Sequence, residues 1–324
     1  PGGEVQSREA AQALARKIGV PLLIKAVGGG GGRGMKLVER WQDLDAALEL
    51  AAAEAAAAFG DARIYLERFV ARARHVEVQL LGDGRGQVLH LGERDCSVQR
   101  RYQKLIEETP APGLSTAQRA GLHEAALRFA VRLQYRGAGT VEFLVDSERG
   151  GFCFLEMNAR IQVEHPVTEM VSGIDIVAEQ IGIAAGEGLG RNQGEVNLHG
   201  CAIECRVNAE DPSRGFAPSP GLVREASWPS GDGIRVDTHI ESGARVPPYY
   251  DSLLGKIIVH APDRVAALAR LRAAIGATRI EGVATNLGFH AGVLSDPEFA
   301  AGGVDTGYVA RYLDTTSRGA RRHG

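Results

Sequence analysis

The chain has 324 residues, 44% hydrophobic and 24% charged, with 37 Lys+Arg against 40 Asp+Glu and a formal net charge of −3. At about 150 residues per domain this length holds about two domains, and the balanced composition excludes disordered, collagenous and disulfide-scaffold classes. The net charge gives no bulk attraction to nucleic acid or an anionic membrane, no run reaches the ~20 apolar residues of a membrane span, and the few cysteines suit a reducing, cytoplasmic setting.

Pro1-Gly2-Gly3 replaces an initiator Met and reads as a linker, as if the sequence begins inside a longer one. Ser7 is an expected N-cap and Gly19 an expected C-cap, with Leu14 and Ile18 on one face of the helix between them. Val20–Ala26 reads as a strand, Gly28–Gly34 as a glycine loop and Met35–Val38 as a second strand. Trp41–Phe59 has helical spacing, and Ile64–Val70 is a third strand. His75–Leu81 alternates, placing His75, Glu77 and Gln79 on one face, and Gln87–Leu91 returns after a turn at Gly82-Asp83-Gly84. Helices follow at Thr116–Leu133, Ile174–Ala185, Arg264–Ile275 and Thr285–Leu294. Strands are expected at Gly139–Val145, Phe152–Asn158, Ala202–Val207, Leu222–Glu225, Gly233–Thr238 and Leu254–Val259. The tail Arg318–Gly324 reads as frayed.

Five consecutive glycines between strands let the backbone approach a ligand and point N–H groups at an anion. The strand-to-strand setting excludes a P-loop and a dinucleotide fingerprint, both of which open a helix. A flap over a polyphosphate remains, with Lys25 as a nearby point charge; a plain surface hairpin is the other reading. Glu156 and Asn158 share a strand face, and the hairpin sets Glu142 near Glu156. Two carboxylates and an amide oxygen suit Mg²⁺. If the chain stays extended, Arg160, Gln162 and Glu164 continue that face; an ordinary solvated face is the alternative. Gln99–Lys104 is a local basic cluster. Cys201 and Cys205 read as buried thiols, since no second ligand pair completes a zinc pattern.

These residues together resemble the ATP-grasp part of biotin carboxylase, from Pro1 to about Leu313. The motifs are Lys25 with Gly28–Gly34, Arg74-His75-Val76-Glu77, Glu93-Arg94-Asp95-Cys96-Ser97, Gln99–Lys104, Glu156–Thr168, Glu204–Asp211 and the Pro247-to-Ser252 stretch. The resemblance implies an α+β ATP-grasp fold, a small α/β lid plus a larger antiparallel-sheet catalytic domain with a C-terminal subdomain. Its expected divisions are 1–70 for the lid, 71–190 for the catalytic core, 191–313 for the C-terminal subdomain and 314–324 for a flexible tail. The family's N-terminal pre-ATP-grasp domain is not in the sequence, and this fragment alone is expected to be poorly active.

The implied chemistry joins bicarbonate to N1 of biotin through carboxyphosphate, at the expense of ATP with Mg²⁺ or Mn²⁺ and without zinc. By motif, Lys25, Gly30, Gly31, Gly32, Met35, Glu67, Arg68, Val70, His75, Gln99, Tyr102 and Leu144 match ATP-binding positions. Glu142, Glu156 and Asn158 match metal ligands. Lys104, Arg160, Gln162 and Val163 match the bicarbonate pocket, with Lys104 and Arg160 also counted as catalytic. Glu164 matches the base and Arg206 the group that stabilises the biotin enolate. Tyr102 stands where the family often has His, and Arg68 where Lys is common. The implied partners are a biotin carboxyl carrier, a carboxyltransferase and, for the intact protein, a second copy; no nucleic acid or membrane is expected. The alternatives are a truncated Mg-ATP-binding module with little turnover or another ATP-grasp carboxylate–amine ligase.

Overall fold

A computed structural model describes residues 2–5, 7–29 and 35–322, and the side chains within 317–322 are left aside. The chain divides into two compact units, Pro1–Ala71 and Arg72–Gly324.

In the first unit β1 (Gly2–Val5), α1 (Arg8–Ile18), β2 (Leu22–Ala26), β3 (Lys36–Val38), α2 (Leu44–Phe59) and β4 (Ile64–Arg68) form one layer of strands under two helices. The sheet order is β1-β4-β2-β3. Ser7 caps α1 by accepting from Ala10 N–H. Ala11 and Ala15 of α1 and Leu44, Leu48, Ala51 and Ala55 of α2 bury against Leu22, Ile24 and Leu66. Small alanines let both helices lie close to the sheet. The expected linker at the start is instead β1, whose Gly2 pairs with Glu67. A Cβ on Gly2 would come within 2.6 Å of the Leu66 carbonyl oxygen, so glycine here serves close strand approach.

The second unit is built on strands β5 (Ala73–Asp83), β6 (Val88–Arg100), β7 (Gln103–Thr109), β8 (Arg136–Asp146), β9 (Phe152–Asn158), β10 (Cys201–Asn208), β11 (Ile234–Thr238) and β12 (Leu253–Ala261). They form one sheet in the order β11-β12-β10-β7-β6-β5-β8-β9, and every pairing is antiparallel. Helices α3 (Thr116–Arg132), α4 (His165–Ser172), α5 (Ile176–Ala185), α6 (Arg264–Ala277), α7 (Leu287–Ser295), α8 (Pro297–Ala301) and α9 (Tyr308–Arg322) pack around it.

Sheet parity sorts the side chains. Val76, Val78 and Leu80 of β5 and Val141, Phe143 and Val145 of β8 face Leu122, Ala126 and Ala130 of α3. Ile203, Cys205 and Val207 of β10 and Ile257 and Val259 of β12 face α6 and α7. The opposite parity of β5 and β8, carrying His75, Glu77, Glu142 and Thr140, is buried but polar.

Several expectations change. β6 runs on to Arg100, and the basic cluster Gln99–Lys104 is a hairpin leading into β7. Arg101 and Tyr102 form its tip at φ 49° and 67°. Paired positive φ values suit a tight hairpin turn, but without Gly or Asn the sequence does not announce one. The chain does not stay extended after Asn158. It loops to α4, which Pro166 starts in its first turn. The stretch expected as one strand at Leu222–Glu225 is broken into Gly221–Leu222 and Glu225–Ser227, which pair with different partners. At the C-terminal end α9 continues through Arg322 instead of fraying at Arg318.

Candidate functional site

In the first unit Lys25 lies on β2 and Glu67 on β4, one strand apart. Lys25, almost fully buried, is ion-paired with Glu67 and lies 5.9 Å from the Tyr65 ring centroid. Arg68 pairs with Leu22 in the same ladder, Val70 follows β4 half-buried, and Met35 immediately precedes β3. Gly30, Gly31 and Gly32, with the rest of the loop to Gly34, lie outside the described residues.

In the second unit the polar side chains converge on the face shared by β5 and β8. Register sets Glu142 of β8 between Glu77 of β5 and Glu156 of β9, and sets Thr140 opposite Asn158. His75 Nε2 is 2.9 Å from Glu142 Oε2, and Gln99 Nε2 is 3.3 Å from His75 Nδ1. Asn158 Nδ2 lies 3.0 Å from Glu142 Oε1 and 3.4 Å from Glu156 Oε1, while its Oδ1 accepts from Arg160 at 3.2 Å. Gln162 Nε2 donates to Glu142 and Thr140, both at 2.9 Å.

The donor set of Glu142, Glu156 and Asn158 is all oxygen once the Asn158 amide turns over to present Oδ1. This fits a hard divalent cation such as Mg²⁺. His75, Glu77 and Glu142 also place one ligand atom each within 4.8 Å of one another. Burial works against the Glu142 carboxylate. The His75 hydrogen bond and the Lys104 ammonium outweigh it and hold its pKa well below the usual range.

Lys104 enters this cluster through an irregularity in β7. Val98 is opposite Ile106, but Gln99 is opposite Lys104, so β7 has one residue more than β6 over this step. Such a bulge interrupts strict alternation and turns Lys104 to the same side as Glu107. Lys104 Nζ then reaches Glu164 at 2.6 Å, Glu77 at 2.7 Å and Glu142 at 3.1 Å. Burial disfavours its charge, but the surrounding anions prevail and its pKa lies well above the ordinary lysine value.

Glu164 is fully buried at the N-cap of α4, yet its side chain caps nothing. Its carboxylate is held from two sides, by Lys104 at Oε1 and by Arg206 of β10 at Oε2, 2.9 Å away. Arg206 Nε in turn donates to Glu107 Oε1 at 2.6 Å. Arg160 is exposed and donates to Gln162 Oε1 at 3.1 Å. The Val163 carbonyl accepts from Lys256 Nζ at 2.8 Å. Leu144 is half-buried opposite His75, and Tyr102 stands 63% exposed at its hairpin tip.

The structure thus gathers Lys104, Glu142, Glu156, Asn158, Arg160, Gln162, Glu164 and Arg206 into one network, with His75 and Gln99 at its edge. Sequence reasoning missed four members. Glu77 and Arg94 form a fully buried pair at 2.6 Å. Glu107 and Glu204 lie unexposed on neighbouring strands. The available signal was the place of Glu77 with His75 and Gln79 on the polar face of β5, since a charge buried there demands a partner.

Residues 1–192 match the family model described as the ATP binding domain of the carbamoyl-phosphate synthase L chain, and 204–311 match the biotin carboxylase C-terminal domain. Biotin carboxylase of Nostoc sp. is 50% identical over 311 residues, covering 95% of this chain and 69% of its relative. That of Pseudomonas aeruginosa is 50% identical over 308 residues, covering 95% and 68%. A crystal structure of a biotin carboxylase–ATP complex from Campylobacter jejuni superposes with a TM-score of 0.92 at 47% identity, covering 96% of this chain and 70% of that one. The biotin carboxylase domain of Hydrogenobacter thermophilus 2-oxoglutarate carboxylase, solved with MgADP, ADP and bicarbonate, gives 0.91 at 44% identity. The ATP-grasp architecture and the two consecutive family segments agree with one another, and the chain belongs to the biotin carboxylase family.

Proposed function

We propose that this chain catalyses the ATP- and bicarbonate-dependent carboxylation of N1 of carrier-bound biotin, the first half-reaction of a biotin-dependent carboxylase. The observation that carries the reading is Glu164, a wholly buried carboxylate gripped by Lys104 and Arg206. An anion in such a place would be costly without two cations, and the clamp supplies both and fixes the direction of the carboxylate.

In this role Glu164 takes the proton from bicarbonate as the oxyanion attacks the γ-phosphate. Lys104, Arg160, Gln162 and the Val163 backbone orient the bicarbonate. Lys25, Met35, Glu67, Arg68, Val70, His75, Gln99, Tyr102 and Leu144, with the Gly30–Gly32 loop, are assigned to the nucleotide. The Lys25–Glu67 ion pair then has to open or be shared when phosphate arrives. Glu142, Glu156 and Asn158 would hold Mg²⁺ or Mn²⁺. When bound, the cation offsets charge that grows on the phosphoryl oxygens. Arg206 leaves part of its guanidinium to stabilise the enolate oxygen of biotin as N1 loses its proton to the phosphate that carboxyphosphate releases with CO₂.

The carrier bearing biotin and a carboxyltransferase that accepts the product belong to the same proposal, as does assembly into a dimer. The chain divisions 1–70, 71–190 and 191–313 are the proposed lid, catalytic core and C-terminal subdomain, with a tail at 314–324. The deciding experiment is Glu164→Gln, which keeps the shape and removes the base. Bicarbonate-dependent ATP cleavage should fall ~10²–10⁴-fold while ATP binding persists; unchanged cleavage would remove Glu164 from the role.

A further inference from the structure

Five buried carboxylates, Glu77, Glu107, Glu142, Glu164 and Glu204, cluster with three cations, Arg94, Lys104 and Arg206, that bond to all of them except Glu204. A divalent cation at Glu142 would answer part of this excess. It does not reach the other end of the cluster, where Glu107 of β7 and Glu204 of β10 are direct register partners. Partners on adjacent antiparallel strands have Cβ atoms only about 5 Å apart. Both side chains are unexposed. Glu107 gives Oε1 to Arg206, but among the described residues its Oε2 has no hydrogen-bond partner, and neither oxygen of Glu204 has one.

Two bare carboxylates in that position would repel each other with no donor between them, which is the circumstance in which a pair keeps one proton. We propose that Glu107 and Glu204 hold one proton between them, carried by Glu204, and that the ionised Glu107 is thereby a positioning residue that orients Arg206 toward Glu164. The assignment of the proton follows from the partners. Glu107 has a guanidinium at 2.6 Å and stays the anion, whereas Glu204 has no cation bonded to it. The nearest alternative cation, Lys256, is engaged by the Val163 carbonyl and by Asp237 at 3.3 Å. The other groups facing the pair are Lys104, Glu164, Arg206 and the Cys96 thiol, and the Cys205 thiol acts on it from the opposite face of β10.

The electrostatics agree. Burial, reinforced by Glu107, raises the Glu204 pKa well above the ordinary glutamate value. Burial also raises that of Glu107, but the Arg206 guanidinium opposes the shift and favours the anion there. Groups whose pKa is raised by folding stabilise the fold at low pH and lose that contribution as pH rises through the folded value. The loss therefore begins above the unfolded glutamate range and extends past neutrality.

The geometry also explains why a neutral Glu204 matters. With its proton, Glu204 leaves Glu107 free to bond Arg206 alone. Without it, a second anion competes for the same guanidinium and draws it from Glu164. This consequence rests on the proposed role of Arg206, but the protonation does not, and the test reads protonation.

The test is carboxyl NMR of the full chain with ¹³C-labelled glutamate, titrated across neutral pH. A protonated glutamate resonance should persist at pH 7 and disappear in Glu204→Gln, whose amide mimics the acid. The same variant should also flatten the alkaline fall of Tm. If Glu204→Gln does not fold, Glu107→Gln serves, because it removes the neighbouring charge and should move the Glu204 titration to lower pH. A resonance indifferent to both substitutions, or no protonated glutamate at pH 7, overturns the proposal. Loss of carboxylation activity with the resonance intact would count against the proposed function instead.

Discussion

Lys104 Nζ lies 2.6 Å from Glu164 Oε1, joining the end of a hairpin to the first turn of a helix sixty residues further on. The contact ties two segments that share no local structure. It also ties charge balance to fold stability, because the same ammonium serves Glu77 and Glu142.

Replacing Lys104 by Met keeps much of the packed volume but leaves three buried carboxylates short of a cation. Breaking a buried pair from one side costs ~3–5 kcal/mol. Lys104→Met should lower the denaturant midpoint correspondingly, read in a urea titration at neutral pH. A midpoint equal to that of the parent chain would show that the three carboxylates find other partners.

Arg206→Ala separates binding from chemistry. ATP affinity should stay within a factor of two or so, since among the described residues the Arg206 side chain bonds only Glu107 and Glu164. Carboxylation of biotin should drop ~10²–10³-fold, the usual effect of losing a charged transition-state donor. Bicarbonate-dependent ATP cleavage is expected to continue. Isothermal titration for ATP and a biotin-dependent product assay measure the two separately, and loss of ATP binding would sink the assignment.

Glu142 and Glu156 are both assigned to the cation, but only Glu142 also bonds His75, Lys104 and Gln162. Glu156→Gln should therefore weaken Mn²⁺ binding by at least about tenfold with little change in Tm. Glu142→Gln should lose both. Electron paramagnetic resonance of free Mn²⁺ against protein concentration checks the first and calorimetry the second. Equal Tm losses in the two variants would contradict this division of labour.

The acid limb of the stability profile has a named contributor. Glu142 has a folded pKa below its unfolded value of 4.5, held there against burial by His75 and Lys104. Such a group stabilises the fold above the unfolded pKa, and its contribution is lost as pH falls below it. Glu142→Gln should make stability less steep between about pH 5 and pH 3. Guanidinium unfolding at several pH values measures the slope.

The nearness of Glu142 and Glu156, opposite or diagonal across a short hairpin, was readable in the sequence, whereas their direct opposition comes from a one-residue bulge next to the Phe143–Phe154 pair. So were the first helix, whose cap and glycine stop are local signals, and the polar parity of His75, Glu77 and Gln79. The site as a whole was legible only through its resemblance to a family. Arg160, Gln162 and Glu164 meet the metal side by a loop and a helix start, not by the continued strand that alternation suggests. Glu107 and Glu204 gave no local sign, since their proximity depends on a pairing between strands almost a hundred residues apart. The β7 hairpin was hidden because Arg101 and Tyr102 take positive φ without the residues that usually do so.

The bulge in β7 acts as a reading frame within the strand. A one-residue deletion at Leu105 or Ile106 would restore regular alternation across β6 and β7. Lys104 would stay on the same side as Glu107, now two positions away, and the core would lose one of the two side chains, Leu105 and Ile106, that the bulge turns into it. The bulge therefore lets two consecutive hydrophobic residues enter the core while the charged residues on either side of them, Lys104 and Glu107, both stand among the carboxylates. Sequences related to this one should keep a hydrophobic residue at both positions, whatever its identity, because each fills the core.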